Sequence, residues 1–255
     1  MSWGWGEYQP RPTVGELRKQ AQSKVKKLKL DGLEPQPVEP IEGRGKIAKS
    51  FWGHAWCRHL EHHCDYENRL PRGRSYVRNG AVVHLDIEPG MVSALVLGSE
   101  LYELSIRFDP LDPGIWESIK ADCTGRIGSL VELLQGKLSG KVMDRVTDPE
   151  QGLFPLRGQM HFNCNCLDWA DMCKHVAAAL YGVGVRLDSS PELLFRLRGV
   201  DQAELMPDAT STQALVAGTK KSRRRTLNPA AVQDVFGVEP EGFEDLPKLS
   251  SVKNR

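Results

Sequence analysis

Residues 161–182 read HFNCNCLDWADMCKHVAAALYG, and Cys164, Cys166, Cys173 and His175 fall within twelve of them. The segment changes period midway. Up to Cys166 it suits a strand, in which Met160, Phe162, Cys164 and Cys166 point to one side and His161, Asn163 and Asn165 to the other. From KHVAAALYG onward it suits a helix, with Ala177 to Leu180 as strong formers and Gly182 or Gly184 near the stop. Residues two apart inside a helix are separated by about 200°. Cys173 and His175 therefore converge when Cys173 stands at the helix start and His175 in its first turn. Asp171 is a candidate cap for that start.

Three thiolates and one imidazole make a closed tetrahedral set for zinc, with no position left for a catalytic water. Three thiolates on a divalent ion carry a net negative charge, which the positive end of a helix favours. Spacing alone also admits a nucleophilic Cys–His pair or cysteines that merely pack. The first leaves two cysteines unexplained. The second is open to any buried thiol. A thioredoxin-like site needs C-x-x-C, which this segment lacks.

Upstream, residues 74–111 carry the turn signals Asn79-Gly80, Pro89-Gly90 and Gly98-Ser99. Val83, Leu85 and Ile87 share one face, and Tyr102, Leu104, Ile106 and Phe108 share another. The expected fold is α+β: a four-stranded antiparallel meander with helices, plus a small strand–knuckle–helix zinc finger. Trp52, Trp56, Leu60 and His63 form one face of a helix before the strands. After them, Asp112 caps a helix from Pro113 to Lys120, GRIGSLVELLQG forms a second, and Pro191 to Met206 forms another. The chain divides into a basic, proline-rich flexible arm (1–48), the sheet and helices (49–150), the finger with its following helix (151–206) and a tail, basic then acidic (207–255). Within the arm, TVGELRKQAQSKVKKLKL can form a helix.

The chain has 255 residues, 40% of them hydrophobic, and a net charge of +1. Attraction to nucleic acid must then come from local patches. Arg69, Arg72, Arg74 and Arg78 beside Tyr66 and Tyr76 form one such patch. Lys220, Lys221, Arg223, Arg224 and Arg225 form another. His59, His62, His63 and Cys64 pose the question of a second metal site, because His59 and His63 are four apart on one helix. No apolar run approaches the ~20 residues needed to span a bilayer. The opening MSWGWGEYQPRP lacks an apolar signal core, so a reducing cytoplasm is the expected compartment. G-x-S-x-G, P-loop and H-E-x-x-H motifs are absent, so an enzyme is not expected.

C-x-C, a short spacer and C-x-H resemble the SWIM zinc finger, with Cys164, Cys166, Cys173 and His175 in its ligand positions. FWGHAWC (51–57), YENRLPRGRSYVRNG (66–80), GSELYEL (98–104) and NCNCLDWADMCKHVAAALYGVG (163–184) extend the resemblance to bacterial SWIM zinc finger family proteins over roughly Ser50 to Met206. The resemblance implies one structural zinc ion, contact with DNA or with protein, and association with a Snf-type helicase-like ATPase. The HxxHHC cluster and the basic arm lie outside the pattern. A protein–protein scaffold without nucleic acid is the alternative, and an enzyme using a Cys/His pair is a more distant one.

Overall fold

The computed structural model describes residues 13–43, 45–63, 69–170 and 172–206, all within one compact unit. The expected tail, with Lys220, Lys221, Arg223, Arg224 and Arg225, lies outside the described residues, as do Asp171, Cys64 and Tyr66.

Four strands form an antiparallel sheet in the order β1 (Val82–Glu88), β2 (Met91–Leu97), β3 (Leu101–Phe108) and β4 (Met160–Cys164). Leu85, Ile87, Val92, Ala94, Val96, Leu104, Ile106 and Phe108 are buried on one face. A register shift between Val82 and His84 interrupts the alternation expected of Val83, Leu85 and Ile87: Val82 and Val83 are both buried, and Val82 joins the core with Leu85 and Ile87.

The four-stranded antiparallel sheet holds, but its membership differs from the expectation. Leu70–Arg78 is a helix (α3), not the first strand. Pro71 suits its first turn. Asn79-Gly80 closes this helix instead of a hairpin. Gly80 takes φ +70°, its N–H donates to the Val77 carbonyl (3.0 Å), and the Ala81 N–H donates to the Tyr76 carbonyl (3.0 Å). These are the paired bonds of a left-handed helix terminus. The fourth strand is β4, the ligand-bearing strand, which pairs with β3 so that Cys164 stands opposite Leu104 and Phe162 opposite Ile106. The division expected at 150/151 thus runs through a continuous sheet and core.

The expectation of a flexible arm is corrected where residues before 48 are described. Val14–Leu30 is a helix (α1) opened by a capping box. Thr13 Oγ1 accepts from the Glu16 N–H, and the Glu16 carboxylate accepts from the Thr13 N–H (2.6 Å). Residues 36–41 then run beside β1. The Val38 N–H donates to Val82 (3.0 Å), the Leu85 N–H to Gln36 (2.9 Å), and the Val38 side chain is buried. This cover blunts the sheet edge that β1 exposes.

Across the inner face lies α7 (Lys174–Arg186), in contact with all four strands, with α2 (Phe51–His63) and with α3. Every residue from His175 to Gly184 is buried. Such close wrapping needs missing side chains. A Cβ on Gly53 of α2 would lie 2.3 Å from the Gly184 carbonyl oxygen, and one on Gly73 of α3 would lie 2.5 Å from the Ala177 Cβ. Trp56, fully buried, donates its indole N–H to the Leu180 carbonyl (2.8 Å). At the α2 entrance Ser50 Oγ accepts from the Gly53 N–H, while the Asp188 carboxylate accepts from the N–H groups of Lys49 and Ser50. Both suit the positive end of a helix.

The remaining helices complete the core. They are α4 (Pro113–Cys123), α5 (Leu130–Leu134), α6 (Gly140–Val146) and α8 (Glu192–Leu197). Asp112 caps α4 as expected, accepting from Gly114 and Ile115. The helix expected over Pro191 to Met206 is interrupted: α8 ends at Leu197, Gly199 takes φ +70°, and a 3-10 turn spans Gln202–Leu205. Arg198 at this break is buried. Its guanidinium donates to the Asp109 carbonyl (2.6 Å) and the Gln159 side chain (2.9 Å), and burial lowers it to about 10.

Gly53→Ala drives a Cβ into α7 backbone that cannot swing aside. The expected loss is about 3 kcal/mol, at the upper end of overpacking effects, read as a drop in urea midpoint at constant m-value.

Candidate metal centre

The last residues of β4 and the first of α7 meet at one corner of the sheet. Cys164 closes β4, and Cys166 follows just beyond it. Asn165 between them keeps the chain on the sheet edge: its N–H donates to the Glu103 carbonyl (3.2 Å), and its side-chain oxygen accepts from the Glu103 N–H (3.1 Å). Cys173 is the N-cap of α7, with extended backbone (φ −81°, ψ 171°). Its Sγ accepts from the Val176 N–H at 3.4 Å. The cap is therefore a candidate ligand residue, and His175 sits in the first turn as the spacing requires.

The four donor atoms of Cys164, Cys166, Cys173 and His175 all lie within 4.8 Å of one another. His175 Nδ1 is 3.9 Å from Cys164 Sγ and 3.8 Å from Cys173 Sγ. A tetrahedral ion with bonds of ~2.0–2.3 Å separates its donors by roughly 3.5–3.8 Å. The set fits one ion at its centre. Among the described residues, this is the group of three or more His, Cys, Asp or Glu side chains gathered closely enough to hold a metal.

The surroundings orient the histidine. The Tyr102 ring stacks on it (3.9 Å between centroids, 17° between planes), and Tyr76 meets it edge-on at 5.6 Å. A Cβ on Gly98 would lie 2.9 Å from the Tyr102 ring and 3.3 Å from His175 Nε2, so glycine makes room for the stack. Nε2 is buried with no hydrogen-bond partner, which leaves Nδ1 as the nitrogen turned to the sulfurs. Burial, aided by the Lys174 charge, lowers His175 to about 4, so the ring is neutral and its Nδ1 lone pair is available.

Burial pushes the Cys164 and Cys173 thiols up. Opposing this, the backbone N–H of Cys166 bonds to Cys164, and those of Val176 and His175 bond to Cys173. These donors aim at the sulfurs and, with the α7 dipole, offset the charge that three thiolates bring. A bound ion displaces the thiol protons and ties metal loading to folding.

The loop from Leu167 to Met172 joins the two halves. Met172 is buried, whereas Leu167 and Trp169 are 103% and 93% exposed. Between them Asp168 turns inward and accepts from the Arg69 guanidinium at 2.9 Å, a partly buried pair.

Arg69, read in sequence as a nucleic-acid contact, thus braces the knuckle. Arg72 is exposed on α3. Arg74 pairs with Glu61 (3.0 Å), and Arg78 donates to the Gly45 carbonyl. His59 is buried, with Nε2 at 3.0 Å from the Pro155 carbonyl, and His62 Nδ1 meets the Arg58 carbonyl at 2.8 Å. The His63 side chain and Cys64 lie outside the described residues. Sequence reading missed Tyr102, Gly98 and Asn165. No spacing marks Tyr102 and Gly98, because they reach the site across the sheet, and the role of Asn165 depends on its pairing with Glu103. No helix among the described residues is long and apolar enough to cross a membrane.

Cys173→Ser separates two roles, since serine keeps the helix cap but removes a ligand. Metal content, measured by plasma emission under reducing conditions, is expected to fall from near one ion per chain to near zero. The thermal midpoint should fall by about 10 °C, given ~2–4 °C per kcal/mol at this size. Acid acts in the same direction. His175 is held below its ordinary 6.5, so the stability tied to the neutral ring is full above that value and lost as pH falls toward about 4. Metal release followed with a chromogenic chelator should increase as pH falls.

No protein-family model matches the chain, and no solved structure matches it. Over 190 residues the chain is 30% identical to a protein of Mycobacterium tuberculosis (strain ATCC 25618 / H37Rv) described as "Uncharacterized protein Rv2102". The match covers 71% of this chain and 68% of that protein. With this identity and coverage, the chain belongs to the same family as the mycobacterial protein.

Proposed function

We propose that the chain is a zinc-stabilised interaction module of the SWIM type, which docks on a protein partner through the tip of its knuckle. Three thiolates and an imidazole at tetrahedral spacing favour zinc over metals that prefer oxygen donors. Four protein ligands fill the coordination sphere, which suits a structural ion and a binding role better than catalysis.

The observation that carries the docking role is the pair Leu167 and Trp169. Both are almost wholly exposed on a short loop clamped by Cys166 and Cys173 and braced by Asp168–Arg69. An exposed tryptophan held on a rigid support loses little entropy on binding, and such aromatic anchors dominate interface energy. Two apolar side chains suit an apolar pocket on a protein. By the SWIM resemblance, that partner is a Snf-type helicase-like ATPase. Contact with DNA is the second reading, favoured by Arg72, exposed on α3.

The test is co-purification from the native host after nuclease treatment. The wild-type chain is expected to retain a helicase-like ATPase. The Leu167→Ser/Trp169→Ser variant should lose it while keeping its metal and thermal midpoint, because neither side chain packs in the core. Retention of the ATPase by the variant would sink the tip as the docking element. Loss from the wild type on nuclease treatment would move the reading to DNA.

A further inference from the structure

Helices α2 and α3 each carry a polar stripe that the core does not use. On α2, His54, Arg58 and His62 recur every four residues, and on α3 so do Arg74 and Arg78. Side chains at that spacing share a helix face. The two stripes line one cavity of about 620 Å³, together with Lys46 from the segment before α2. Ile47, Ala48 and Cys57, all buried, contribute its apolar part.

The charge balance is one-sided. Lys46, Arg58, Arg74 and Arg78 line the cavity, and Glu61 is the one carboxylate among the described lining residues. Glu61 is already engaged: its Oε1 accepts from the Tyr181 hydroxyl (2.9 Å) and from the Arg74 guanidinium (3.0 Å). The chain as a whole carries only +1, so this concentration is local. His54 is held below the usual histidine range by burial and by the Lys46 and Arg58 charges, consistent with a positive potential there.

The arginines are also pre-positioned. Arg74 is fixed by Glu61 and lies over the Tyr181 ring, 5.6 Å from its centroid. Arg78 is tied to the Gly45 carbonyl. Lys46 and Arg58 are exposed. Fixed guanidinium groups with exposed cations beside them match a phosphate, whose oxygens take paired N–H donors. The volume falls within the ~300–1,000 Å³ of small-ligand sites and exceeds what a bare phosphate fills. The apolar lining offers contact to a group attached to that phosphate.

We propose that the cavity between α2 and α3 binds the phosphate of a nucleotide-sized phosphate ester, either free or as a unit of a nucleic-acid strand. The site is separate from the metal centre and from the knuckle tip, so it stands or falls independently of the docking role.

The test uses the full zinc-loaded chain and two probes: adenosine monophosphate by calorimetry and a fluorescein-labelled oligothymidylate by anisotropy. At least one is expected to bind saturably near one per chain. Lys46→Glu/Arg58→Glu should weaken that binding by at least about tenfold, the scale of one lost charge-assisted contact. Arg126→Glu/Lys137→Glu changes net charge equally at exposed positions that do not line the cavity, and should leave binding within about twofold. Metal content and thermal midpoint should match wild type in both variants. Displacement of the oligonucleotide by the monophosphate identifies a free ester as sufficient. Oligonucleotide binding that the monophosphate does not displace, but that Lys46→Glu/Arg58→Glu removes, identifies the strand as the source. Absence of saturable binding by both probes, or equal weakening in the two variants, overturns the proposal.

Discussion

Helix α7 is buried from His175 to Gly184, and most of the fold takes its position from that burial. A helix wrapped on several sides must let its neighbours approach closely, and Ala177, Ala178, Ala179, Gly182 and Gly184 provide that clearance. Gly53 and Gly73 supply the matching gaps on α2 and α3. Trp52, Trp56 and Leu60 then seal α2 against the core. Because α7 runs along the sheet, its first turn is delivered to the edge where β4 ends. The four donors converge as a consequence of this packing.

A metal at that corner staples an edge strand to the central helix. The staple matters most for residues 167–172, which bury Met172 but leave Leu167 and Trp169 in solvent. Apolar burial cannot order such a loop. Its conformation rests on the Asp168–Arg69 pair and the cap that Cys173 supplies to α7, and ligation at both ends would add to these. One cysteine thus carries the helix start and a donor for the ion, so loading of a metal would be coupled to the integrity of the helix end.

Helix α3 links the features around the centre. Tyr76 meets His175, Gly73 lets α7 approach, Arg69 just before the helix braces the knuckle, and Arg74 and Arg78 turn toward α2. The arginines that look alike in sequence therefore separate by the direction each faces. That separation follows from helical geometry, which spreads residues two apart around the axis and aligns those four apart.

The convergence of Cys164, Cys166, Cys173 and His175 was legible in the sequence, because C-x-C on a strand and C-x-H at a helix start constrain their donors locally. The period-2 patterns of Leu85 and Ile87 in β1 and of β3, the Asp112 cap and the Trp52–Trp56–Leu60 face were legible for the same reason: each depends on neighbours within a turn or a strand. Asn79-Gly80 misled because a left-handed glycine closes a helix as readily as it turns a hairpin, and Pro71 was the competing signal. The arm before residue 48 misled because its lysines hide Val38, whose burial depends on β1, more than forty residues away. Local chemistry in this chain determined that a corner able to hold a metal exists and which side chains form it. Tertiary structure decided that β4 belongs to the main sheet, that Tyr102 and Gly98 orient His175, and which arginines face the cavity, because each of these depends on contacts between residues distant in the chain.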